Sequence, residues 1–148
     1  MKNPRLTSVI FLFAALLQVA SAQGVQGIEK ILVKSFNLNG LQEVVIHAAG
    51  PVELKTWEGD FMRIQMTVHI DQANESMIKS LVQTGRYNLI TEVEDGRWLV
   101  RTPGLNREVL RNGQALQERV SFLIFAPAHV KLEVQNSSSA GLPTNSSF

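Results

Sequence analysis

Residues 61–70 read Phe-Met-Arg-Ile-Gln-Met-Thr-Val-His-Ile, and this run limits the fold more than any other part of the chain. Met62, Ile64, Met66, Val68 and Ile70 alternate with Phe61, Arg63, Gln65, Thr67 and His69. Successive side chains of an extended backbone point to opposite faces, so this period of two places five apolar residues on one side. The run is a strand with one face in a core. Three earlier segments repeat the pattern: Ile31 and Val33 with Phe36 and Leu38, then Val44, Ile46 and Ala48, then Val52, Leu54 and Thr56. Gly40, Gly50-Pro51 and Glu58-Gly59-Asp60 punctuate them as turns.

Asp95-Gly96 between two alternating runs is a two-residue hairpin signal, because both turn positions need a positive φ. That loop sets a register in which Glu94 faces Arg97, Val93 faces Trp98, Glu92 faces Leu99, Thr91 faces Val100 and Ile90 faces Arg101. Tyr87, Leu89, Val93, Trp98 and Val100 then share the core face. Glu92, Glu94, Arg97 and Arg101 share the other, where paired carboxylates read as a solvated charged face rather than as an acid and base pair.

One stretch breaks the period of two. Ala73, Met77, Ile78, Leu81 and Val82 fall at helical spacing, with Asp71 or Asn74 as N-cap and Gly85 as the stop, which predicts one short helix at about residues 72–83. Pro103 to Glu118 has no clean period and reads as a long connection with one helical turn near Val109 and Leu110. Val120 to Phe125 is apolar on both faces apart from Ser121, as expected of a central strand, and Val130 to Val134 suits a strand nearer an edge.

The ends have a different character. Lys2 and Arg5 precede an apolar run from Val9 to Leu17 that continues to Ala20, followed by the small residues Ala20, Ser21 and Ala22. This is the pattern of a secretory signal peptide cleaved after Ala22. The apolar stretch is too short for a membrane-spanning helix, which needs about 20 residues. The expected organisation is a signal peptide at 1–22, a linker at 23–27, a β-rich domain at 28–134 and a disordered Ser/Asn-rich tail at 135–148. Removing the signal peptide takes two of the 14 basic residues with it, against 13 acidic ones. A nearly neutral remainder lacks the basic footprint that phosphate backbones attract, which excludes nucleic acid as a partner. With no cysteine, an exported domain of this size relies on its core alone. Asn-x-Ser sequons stand at Asn74, Asn136 and Asn145.

The order Ser35-Phe36-Asn37-Leu38-Asn39-Gly40-Leu41, Val44-Val45-Ile46, Pro51-Val52-Glu53-Leu54 and Met62-Arg63-Ile64-Gln65-Met66 resembles the opening of the GIN-type domain, named as an auto-transporter adhesin head domain. It also resembles related exported bacterial β-rich domains of unknown function. The resemblance spans roughly residues 33–70, with a looser echo at Val120 to Val134. It implies a layered or β-helix-like architecture and brings no functional residues with it. The fold class expected is mainly β: a small β-sandwich or a truncated β-helix-like domain with one short helix.

No strong catalytic motif is present: there is no cysteine nucleophile, G-x-S-x-G elbow, H-E-x-x-H pair or P-loop. His47 and His69, on polar faces of strands that could be neighbours, would need an Asp or Glu to hold a metal ion, and isolated surface histidines are expected instead. His129 is expected to be exposed in a turn. No cofactor is predicted. Trp57, just before a turn, is a candidate binding residue, with the alternative that it covers the end of the core. Val130, Leu132 and Val134 are candidates because a chain that stops pairing after Val134 leaves a strand edge open to a partner. The expected function is an exported, periplasmic or secreted non-enzymatic domain. It would bind a cell-surface component, another protein or itself, with no membrane span in the mature chain. The alternative is an enzyme whose site combines the 103–118 loop with Arg63, His69 and Glu92.

Overall fold

The computed structural model describes residues 27–136. The signal segment with Ala22, most of the linker, Asn145 and nearly all of the tail lie outside the described residues. In chain order the elements are β1 (Ile28–Asn37), β2 (Glu43–Ala48), β3 (Val52–Trp57), β4 (Phe61–Ile70), α1 (Glu75–Gln83), β5 (Ile90–Glu94), β6 (Arg97–Arg101), a 3-10 turn (Pro103–Asn106), β7 (Leu110–Arg111), β8 (Gln114–Ala115), β9 (Glu118–Pro127) and β10 (Lys131–Asn136).

These build two four-stranded sheets and a small hairpin. The first sheet runs β1-β4-β9-β3 and the second β10-β2-β6-β5, while β7 and β8 pair with each other as a separate two-stranded sheet. The alternation in β4 comes out as read: Met62, Ile64, Met66, Val68 and Ile70 are fully buried. One buried cluster joins these residues and Phe122 and Ile124 of β9 to Val44, Ile46 and Val100 of the second sheet. The sheets therefore pack face to face with a shared core, and the fold is a small β-sandwich.

Its pairing is mixed. β4 lies antiparallel to β1 and β9, whereas β3 with β9, β10 with β2, and β2 with β6 are parallel. Parallel neighbours cannot be joined by a tight turn. The chain accordingly leaves the first sheet after β1, runs β2 in the second, and returns for β3 and β4. Asn39 and Gly40, at φ of 49° and 82°, make the first of these turns. Gly50 makes the return, where an added Cβ would lie 2.0 Å from the carbonyl oxygen of Val120 on β9.

The predicted hairpin register is observed residue for residue from Ile90–Arg101 to Glu94–Arg97. Asp95 and Gly96 hold φ of 50° and 75°. The helix is also present but starts later, with Asn74 as N-cap accepting a 2.9 Å hydrogen bond from the Met77 amide. Gly85 follows the C-cap at φ 80°. β9 is central and β10 is an edge, as its sequence suggested.

Four readings need correction. Ile31 and Val33 sit on the outer face of β1, 51% and 58% exposed, because the register pairs Leu32 and Phe36, not them, with the buried Met66 and Met62. Val93 is 58% exposed, since β5 is the last strand of its sheet and the facing layer does not reach it. Val109 and Leu110 form no helical turn: Leu110 opens β7, and the turn is Asn112-Gly113, both at positive φ. The final strand continues through Gln135 and Asn136, two residues past Val134.

Candidate binding surfaces

The long 103–118 connection is pinned down rather than free. Arg86, 8% exposed, donates from Nε to both carboxylate oxygens of Glu118 at 3.1 Å and from a terminal nitrogen to the carbonyls of Gly104 and Arg107 at 3.1 and 2.9 Å. Its other terminal nitrogen bonds Glu118 as well. Tyr87 donates its hydroxyl to the same carboxylate at 2.8 Å. Burial, then the Glu118 hydrogen bond and charge, push the Tyr87 phenol well above its ordinary range. Gly104 is required here, because a Cβ would lie 2.2 Å from the Arg86 carbonyl oxygen. Farther along, Arg111 bonds the Gln72 carbonyl and the Asp71 amide donates to Gln117 at 3.0 Å.

The residues of the enzymatic alternative are not brought together. Arg63 and His69 share the outer face of β4 six positions apart, which at strand rise is about 20 Å. Glu92 stands on the other sheet, bonded to Arg101. His47 and His69 are likewise in different sheets and are not neighbours. His69 lies 3.1 Å from Asp71, which also takes an ion pair from Arg119 at 3.0 Å. His129 is exposed in the turn before β10. Among the described residues no group of three or more His, Asp or Glu could hold a metal ion.

The outer face of the second sheet carries a concavity of about 420 Å³, a volume suited to a small ligand. Val45 and Leu99, neighbours in register, form an apolar floor; His47, Arg97, Arg101, Asn106 and Gln135 supply polar groups, with Glu94 at the side. The hairpin placed Arg97 and Arg101 on this face from sequence alone. Asn106 and Gln135 join them only through the 3-10 turn and the parallel β10–β2 pairing, which no local pattern announces.

Gln135 also ties the concavity to the β10 edge. β10 pairs with β2 on one side, and among the described residues no strand pairs with its other side. Val130, Leu132 and Val134 are half-buried against the core. Their side chains thus anchor the edge strand, and what the edge offers a partner is its backbone.

Trp57 lies at the end of β3 on the outer face of the first sheet, half-buried. Its ring meets Phe61 edge to face at 4.5 Å and Phe125 at 5.8 Å. The indole N–H donates to the Phe61 carbonyl at 2.9 Å. A Cβ on Gly59 would come within 2.7 Å of the ring. The tryptophan therefore covers the outer face of its sheet, not the end of the core between the sheets.

No family model matches the chain, and no curated protein matches it. It is similar to a solved structure of a "putative cell adhesion protein" from Clostridium sporogenes, with a TM-score of 0.41 and 14% identity over 74% of this chain and 47% of that one. The chain thus spans about half the length of that protein. Among the described residues no helix is long and apolar enough to cross a membrane.

Proposed function

We propose that this chain is an exported, periplasmic or secreted β domain that acts by binding, to a cell-envelope component, another protein or a second copy of itself, and not by catalysis. It is adhesin-like in the sense of the GIN-type domains that residues 33–70 resemble. The observation that carries the reading is the open edge of β10, six residues of strand that among the described residues have a hydrogen-bonded neighbour on one side only. An open edge is a template for strand addition, in which main-chain hydrogen bonds supply affinity. The concavity beside it would read the outward side chains of an added strand. Export rests on the signal-peptide pattern ending at Ala22.

Light scattering of residues 23–148 across a hundredfold concentration range tests the self-pairing form. Mass is expected to grow with concentration. The pair Glu133→Lys and Gln135→Lys, which charges the exposed face of the edge, is expected to hold the chain monomeric. A constant monomer mass for the unaltered chain would remove self-association and leave a different partner for the edge.

A further inference from the structure

The outer face of the first sheet holds an arginine that rests on aromatic rings and has no carboxylate partner among the described residues. Arg63 lies over the Trp57 ring at 5.1 Å and the Phe61 ring at 5.7 Å. Its Nε is buried without a hydrogen-bond partner, and none of its nitrogens pairs with a carboxylate among the described residues. Buried donors are nearly always bonded, so an orphan on a cation needs an explanation. The other cations on this face have partners: Lys55 on β3 pairs with Glu53 at 3.1 Å, and Arg119 at the far end of β9 pairs with Asp71 at 3.0 Å. Glu29, on the same face, pairs across from His69 at the far end of β1, about 20 Å of strand from Arg63.

The platform beneath Arg63 is rigid. The Trp57 indole N–H is tied to the Phe61 carbonyl, and Gly59 packs against the ring edge. Nε is occluded over these rings, whereas the two terminal nitrogens are not among the buried unpartnered atoms, and they are the pair that can receive a carboxylate end-on in two parallel hydrogen bonds. The register partners of Arg63 are Phe125 on β9 and Ser35 on β1, and the outward residues beyond them include the half-buried Leu123 and the more than half exposed Val33 and Ile31.

We infer that this face docks a protein segment that places an Asp or Glu carboxylate on Arg63 and apolar side chains over Ile31, Val33 and Leu123. An acidic polysaccharide shares the carboxylate but fits less well. Sugars stack on open aromatic faces and need many polar partners, whereas the Trp57 ring is covered by Arg63 and its N–H is already used. The surface lies on the opposite sheet from the β10 edge, so failure at either surface leaves the other untouched.

The test is nuclear magnetic resonance of the ¹⁵N-labelled chain, following the Arg63 Nε–H and Trp57 Nε1–H signals. The probes are the peptide acetyl-Val-Glu-Val-amide, its glutamine counterpart, and polygalacturonate. The glutamate peptide is expected to shift both signals saturably, and the glutamine peptide to bind about tenfold more weakly, the loss of a charge-assisted pair. Arg63→Gln should weaken binding of the glutamate peptide about tenfold, to the level of the glutamine peptide, while the backbone spectrum stays native, and Arg63→Lys should weaken it by less, because the charge is kept and the planar fork is lost. Equal binding of the two peptides, no shift at millimolar peptide, a Trp57 response undiminished by Arg63→Gln, or a response to polygalacturonate alone would each overturn the assignment.

Discussion

Arg86 and Glu118 are buried together, so removing either charge strands the other away from water. Glu118→Gln is expected to cost about 3–5 kcal/mol in denaturant unfolding, the usual penalty for an uncompensated buried partner. Gly104→Ala should destabilise the same region without altering any charge, since its methyl group would collide with the Arg86 backbone. Tyr87 is the single tyrosine of the chain, which makes it directly observable. Its folded-state value lies above the unfolded value of about 10. The stability it contributes is therefore complete below about pH 10 and is lost as pH rises through the folded value. Tyrosinate absorbance should appear at higher pH in the folded chain than in denaturant, and Tyr87→Phe should flatten the alkaline fall in stability. None of this network was legible beforehand. Arg86 and Glu118 are 32 positions apart, and no periodicity connects a residue after a helix to the first residue of a distant strand.

Local elements were the most legible level, because their signals lie within a few residues. The Asp95-Gly96 turn fixed every pair of β5 and β6, while the helix start was left between Asp71 and Asn74, and it is Asn74 whose side-chain oxygen caps it. Gly96→Ala is expected to cost about 1 kcal/mol by forcing a Cβ into positive φ, with Asp95→Asn neutral or better, as thermal unfolding can measure. Asn74→Ala should cost about 1 kcal/mol by freeing the Met77 amide. The same turn chemistry at Asn112-Gly113 passed unread because its flanking strands are two residues each and show no alternation. Val93 misled for a different reason. Alternation tells which face a residue occupies but not whether another layer covers that face, and β5 lies at the edge.

For the molecule as a whole, the sandwich core could be foreseen in kind but not in order. Five alternating apolar residues in β4 demanded a facing layer, yet nothing in β3 says that its partner is β9. Central strands shielded on both sides should exchange amide hydrogens slowest, so β4 and β9 are expected to outlast β5 and the β7–β8 hairpin in exchange experiments. Ile64→Ala, at a fully buried position, should cost about 2–5 kcal/mol and lower the global transition. The candidate surfaces follow the same division. Arg97 and Arg101 were placed by a local turn, whereas the Trp57–Arg63–Phe125 grouping required β3 and β4 to meet across β9.

That interleaving governs the order of events when the chain is made. Among the described residues β3 has no neighbour but β9, and β2 receives β10, more than 80 positions later in the chain. A polypeptide emerging N-terminus first holds only fragments until residue 127, and its second sheet stays incomplete until residue 136. Pairings so distant close slowly. Under the proposed export this delay would matter, because a chain still lacking the partners of β2 and β3 holds neither sheet complete while it threads a narrow channel.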